Sequence, residues 1–179
     1  MRDWNVVISV REMGFRPAFE LLEELGPVAK TDFYNILVMK VDNIRNFLET
    51  LREWVQDDPH ILSLISRVMP VTQTFNFQSA EEFKEKASEA ASKWVSMLTN
   101  RSFHIRMHRR GFKGKIASNK EERFLDDFLL DALKKEGMKG DISFQNPDVI
   151  VVVETVGSRA GMSIWTREDL ERYPFLRLD

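Results

Sequence analysis

The sequence predicts a mixed α/β protein of two consecutive units, and three observations carry that expectation. Short β-branched and apolar runs alternate with segments of helical periodicity along the whole chain. Up to Phe77 these elements follow the order strand, helix, strand, strand, helix, strand, which is the split βαβ arrangement. A helix-start signal then opens a second set of helices and strands at Ser79.

Trp4 to Val10 (WNVVISV) reads as the first strand. Phe15, Phe19, Leu22 and Leu25 recur at helical spacing up to the Gly26-Pro27 breaker. Val28 to Thr31 and Asn35 to Val41 form a strand pair around Asp32, Phe33 and Tyr34. Asn43 caps a helix with the apolar face Ile44, Phe47, Leu48, Leu51 and Val55. After Asp57-Asp58-Pro59, a short apolar turn leads into a last strand from Arg67 to Phe77. Residues 1–78 are therefore expected to form a ferredoxin-like βαββαβ unit.

Residues 79–179 are expected to form the second unit. Ser79-Ala80-Glu81-Glu82 is a capping box, and its helix runs to about Leu98. Phe103 to Arg109 alternates as a strand does. Ser118-Asn119-Lys120-Glu121 is a second capping box, opening a helix with Phe124, Leu125, Phe128, Leu129, Ala132 and Leu133 in one apolar set. That helix closes on Lys134, Lys135 and Gly137. DISF, PDVIVVVETV and AGMSIWT read as strands, the last two joined around Gly157-Ser158-Arg159. Consecutive apolar residues in VIVVV point to a central strand covered on both faces.

The 179 residues contain no cysteine, which excludes disulfides, thiolate metal sites and cysteine nucleophiles. No apolar run approaches the roughly 20 residues of a membrane span, and the N-terminus lacks a signal-peptide core. A soluble, cytoplasmic protein is the expectation. Net charge is −2, yet Arg101 to Lys120 holds seven Lys or Arg and no acid. The remainder therefore sums to about −9, so positive charge is localised on an acidic body.

That localisation centres on RSFHIRMHRRGFKGK, residues 101–115. As a strand, Phe103, Ile105 and Met107 share one face and fix the register, which commits His104, Arg106 and His108 to the other. Their repeat of about 6.6 to 6.8 Å is comparable to the spacing of successive phosphates on a nucleic-acid strand. Arg109, Arg110, Lys113 and Lys115 continue the track towards a helix N-terminus near Ser118, which also favours an anion. A solvated charged face is the plainer alternative. Gly111-Phe112-Lys113-Gly114 has a G-x-x-G form that lets backbone approach phosphate, although turn chemistry explains the glycines equally well. His104 and His108 would lie about 13 Å apart on a strand, too far to share a metal.

No hydrolase, metalloprotease, dinucleotide or triphosphate-loop motif occurs. Asp126, Asp127 and Asp131 fall on or beside the polar side of their helix as solubilising charge. Trp165, Tyr173 and Phe175 read as packing residues, with stacking on RNA bases as their functional alternative.

The helix from Ser79, the strand FHIRMHRRG, the helix ERFLDDFLLDAL and above all NPDVIVVVETVGSRAGMSIW make the second unit resemble the THUMP domain. The first unit is similar to the ferredoxin-like domain that precedes it in many such proteins. The resemblance implies binding of the 3′ acceptor region of tRNA, with the two units presenting a distant nucleotide to a catalytic domain. In relatives that domain is a methyltransferase, thiouridine synthetase, deaminase or pseudouridine synthase, and some members are adaptors without one. This chain leaves no room for such a domain, so the resemblance implies a stand-alone, non-enzymatic adaptor serving a separate tRNA-modifying enzyme. Arg106, Arg109, Arg110, Lys113 and Lys115 are the expected phosphate contacts, with His104, His108, Lys120 and Arg123 as secondary candidates. No cofactor, metal, membrane or DNA partner is expected. The competing expectation is a protein-interaction or small-molecule regulatory module whose basic patch grips an acidic partner.

Overall fold

The computed structural model describes residues 1–178, which fall into two compact units. In the first, β1 (Val6–Val10), β2 (Val28–Lys30), β3 (Ile36–Met39) and β4 (Ile65–Pro70) form one sheet in the order β2-β3-β1-β4, every pair antiparallel. Helices α1 (Phe15–Glu23) and α2 (Ile44–Asp57) supply the crossovers, and α3 (Ile61–Leu64) is a single turn before β4. This is the split βαβ order expected from the sequence. Asn43 caps α2 in extended backbone, its side chain accepting the Asn46 N–H at 2.9 Å. Phe47, Leu48, Leu51 and Val55 are buried along α2, as their spacing requires.

The expected strand from Arg67 to Phe77 is in fact two. Pro70 has no N–H with which to continue a ladder. After Val71 and Thr72 the chain enters β5 (Gln73–Asn76), which belongs to the second sheet. The division between units accordingly lies at Pro70 and Val71, not at residues 78 and 79. A second correction concerns the C-terminal segment, which returns to the first unit from Asp169 onward. There Tyr173, Phe175 and Leu176 are buried, and the Phe175 carbonyl accepts the Val68 N–H at 2.9 Å. Tyr173 and Phe175 are thus packing residues.

Glu49 on α2 fastens this segment. It accepts Arg172 Nε at 2.7 Å, Arg172 Nη2 at 3.0 Å and the Tyr173 hydroxyl at 2.6 Å. The bond from Arg172, followed by that from Tyr173, holds the Glu49 carboxyl down at about 2, against an ordinary 4.5. A carboxyl lower in the folded than in the unfolded chain adds stability above the unfolded value and loses it as the folded value is approached. Protection of the amides at residues 173–176, taken relative to the intrinsic exchange rate at each pH, is therefore expected to fall as pH drops from 4.5 towards about 2. Glu49→Gln should remove that pH step; an unchanged profile in the variant would exclude this clasp.

The second unit holds β5, α4 (Ala80–Ser92), a 3-10 turn (Val95–Leu98), β6 (Ser102–His108), α5 (Ser118–Lys135), β7 (Asp141–Ile142), β8 (Val149–Val156) and β9 (Arg159–Thr166). Helix α6 (Arg167–Arg172) begins in it and ends in the first unit. The sheet order is β5-β9-β8-β6-β7, with β6 parallel to both neighbours and the other pairs antiparallel. Strand β8 is buried from Val149 through Thr155, so it is covered on both faces as its composition predicts. Phe103, Ile105, Met107, Val149, Val151, Val153 and Met162 share a core with Phe83 and Ala87 of α4 and Leu125, Leu129 and Leu133 of α5.

Ser79 caps α4, accepting the Glu82 N–H at 3.1 Å, while Glu82 accepts the Gln78 N–H at 2.9 Å. The expected second box does not form. Ala117 occupies the N-cap of α5 with no side-chain bond, and Ser118 is already helical. The strand expected at DISF is also shorter, because Ser143 and Phe144 lie beyond β7. No helix among the described residues is long and apolar enough to cross a membrane.

Candidate nucleic-acid interface

The core holds β6 in the register the sequence predicts, with Phe103, Ile105 and Met107 turned inward. β7 pairs only with Ser102 and Phe103, which leaves the rest of that edge open. Helix α5 closes it. Asp126 Oδ1 accepts the Ile105 N–H at 2.9 Å, and Glu122 Oε1 accepts the Met107 N–H at 2.8 Å. Four residues of helix rise about 6 Å and two of strand about 6.7 Å, so acids one helical turn apart meet alternate strand donors. Capping an edge in this way also prevents it from pairing with another chain.

Asp126 Oδ2 holds His104 Nδ1 at 2.9 Å, and both side chains are nearly buried, at 7% and 9% exposed respectively. His104 is thereby withdrawn from the surface to which its strand parity assigned it. The expectation that Asp126 merely solubilises α5 is corrected by the same contact. Among the described residues no group of three or more His and acidic side chains is placed to hold a metal.

At the far end of β6 the basic residues divide. Arg106, His108, Arg109 and Arg110 are half-buried, while Lys113, Lys115, Lys120 and Arg123 are exposed. Arg110 Nη1 lies 2.5 Å from Glu154 Oε2, and His108 Nδ1 lies 3.6 Å from Glu154 Oε1. Glu154 is wholly inaccessible to solvent. The Arg110 backbone is fixed as well, its N–H donating to Thr155 Oγ1 and its carbonyl accepting the Gly157 N–H, both at 2.9 Å. Arg109 donates to the Gly111 carbonyl. Both arginines therefore engage the framework of their own loop. Glu154 escaped sequence reasoning, although a single acid inside VIVVVETV is itself a signal that a buried cation must be near.

The glycines have separate causes. A Cβ on Gly111 (φ +99°) would stand 3.1 Å from Gly157 Cα, so the first glycine lets two turns touch. Gly114 (φ +81°) faces open space and meets only the need for left-handed backbone. Phe112, also left-handed at φ 53°, anchors the loop by packing against Phe77, with ring centroids 4.8 Å apart and planes tilted by 44°. Its carbonyl accepts the N–H groups of Lys115 and Ile116, both at 3.0 Å. Lys113 and Lys115 thus project from a braced backbone just ahead of α5.

Alanine is a poor N-cap, and with Ala117 there no side chain occupies the first N–H groups of this 18-residue helix. Lys113 and Lys115 precede this N-terminus in the chain and Lys120 lies in its first turn, where the helix dipole also favours an anion. In the first turn Glu121 is buried, and burial pushes its carboxyl up against the opposing pull of Lys84 and Lys120.

Residues 77–164 match the THUMP domain family. The chain carries a THUMP domain. The match takes in α4, β6, α5, β7, β8 and nearly all of β9, including the basic loop. No curated protein matches the chain. Among solved structures, PH1313 from Pyrococcus horikoshii Ot3 aligns with a TM-score of 0.63 and 11% identity over 92% of this chain and 55% of its own. A 4-thiouridine synthetase in complex with RNA and ATP gives 0.56 and 15%, over 92% and 42%. TrmN from Thermus thermophilus gives 0.56 and 15%, over 90% and 44%. The chain thus spans about half the length of these neighbours, and with identities this low the likeness is one of fold across both the ferredoxin-like unit and the THUMP domain.

Proposed function

We propose that this chain binds tRNA through its THUMP domain and serves as a non-catalytic adaptor for a separate tRNA-modifying enzyme. The observation that carries the reading is the pair of exposed lysines, Lys113 and Lys115, on a loop braced by Phe112, Arg109 and Arg110 ahead of the uncapped α5. Lys120 and Arg123 extend the cationic surface along the first turns of the helix. Arg109 and Arg110 act mainly by holding the loop, because their side chains already have partners.

Two further facts support the reading. One solved neighbour is a complex with RNA. The 4-thiouridine synthetase and a possible methylase from Clostridium difficile 630, which aligns at a TM-score of 0.55 and 13% identity, differ in chemistry while sharing the fold of the stretch this chain covers. A part common to different chemistries suits the holding of a substrate better than its conversion.

Competition binding tests this. A labelled tRNA should be retained against excess acidic protein and displaced by unlabelled tRNA. Bulk tRNA incubated with the chain and ATP or S-adenosylmethionine should remain unmodified. Displacement by acidic protein instead would favour the interaction-module reading, and turnover would refute the adaptor role.

A further inference from the structure

We propose that Phe144, backed by His104, is a stacking platform for one unpaired nucleobase of the RNA; this deepens the tRNA reading and rests on it. Phe144 is 75% exposed, and no other aromatic ring among the described residues of the second unit is as open. Its backbone is nevertheless fixed. The Ser143 N–H donates to the Phe103 carbonyl at 3.0 Å, and the Ser143 hydroxyl donates to the Gln145 carbonyl at 2.7 Å. Arg167 grips Asn146 twice, Nε on Oδ1 at 3.0 Å and Nη2 on the carbonyl at 2.8 Å. Ser102 and Asp148 exchange two bonds of 2.9 Å at the loop's end.

The ring meets His104 at 4.8 Å between centroids and 75° between planes. His104 is itself immobilised by Asp126. A perpendicular contact uses at most one face of Phe144, so the other stays available to a flat partner. Arg101 is exposed, and its carbonyl accepts the N–H of Asp141 in β7, which places a cation at this end of the strand for phosphates flanking a stacked base.

A nucleobase suits this spot better than a protein surface. Protein hot spots sit inside contiguous apolar patches, whereas Asp141, Gln145 and Asn146 beside Phe144 are exposed and polar. One rigid ring with a nearby cation is what sequence-tolerant base stacking requires.

A short single-stranded RNA carrying 2-aminopurine reports stacking through quenching of its fluorescence. Wild-type protein should quench it, and Phe144→Trp should preserve both quenching and affinity. Phe144→Ala should lose the quenching and bind about tenfold or more weakly. Its salt dependence should not change, because no charge is removed. A blunt RNA duplex should be bound alike by all three. Equal quenching and affinity in Phe144→Ala would overturn the platform, as would a loss confined to binding of a protein partner. The variant with Lys113→Ala and Lys115→Ala separates the two readings. If it weakens RNA binding while Phe144→Ala does not, only the platform is lost; if neither variant weakens binding, the tRNA reading is lost with it.

Discussion

Replacing Glu154 with Ala is expected to cost about 3 to 5 kcal/mol of folding stability, because it removes one partner of a buried ion pair and strands the other. The Arg110 side chain is only 13% exposed, and its counter-ion is completely buried. Once alone, Arg110 must either stay desolvated or swing outward. Swinging outward gives up the side chain's hold on β8, leaving the basic loop tied to Thr155 and Gly157 by the Arg110 backbone bonds alone. Urea unfolding measures the cost. Glu154→Gln keeps a hydrogen-bond acceptor but no counter-charge, so its loss should be smaller than that of Glu154→Ala yet larger than the ~1 kcal/mol of a neutral hydrogen bond. The same variants decide what Glu154 does for RNA. Deleting an acid beside a cationic surface would strengthen phosphate binding if only net field mattered. A framework role predicts weaker binding, so the sign of the change distinguishes the two.

The second large effect belongs to the lysines. Lys113→Ala with Lys115→Ala should lower the slope of log affinity against log salt by about 1.4 to 1.8, the contribution of two phosphate contacts. Both side chains are exposed, so stability should stay within about 0.5 kcal/mol of wild type. Arg109→Ala with Arg110→Ala should also weaken binding, but through the loop, with a fall in melting temperature that the lysine variant does not show. An unchanged slope in the folded lysine variant would remove this loop from the interface.

Much of the architecture could be read from local signals. Asn43 and Ser79 announce their helices through side chains that bond neighbours three residues away, and the apolar parity of Phe103, Ile105 and Met107 sets the face of β6. What could not be read depends on partners distant in the chain. Nothing local says that β5 leaves the sheet β4 belongs to, because its ladder partner is β9. Strand parity places His104 outward, yet an acid 22 residues later draws it into a buried pair. Likewise the basic run shows seven cations without showing which are exposed. That division required Glu154, which lies 44 residues beyond Arg110.

Photo-crosslinking of bound tRNA to the intact chain, with the attached peptides sequenced, tests the central claim most directly. The account predicts crosslinks on the loop and first helical turns between residues 109 and 123, abolished by the lysine substitutions. Crosslinks confined to other surfaces, or none at all from tRNA that is demonstrably bound, would contradict it.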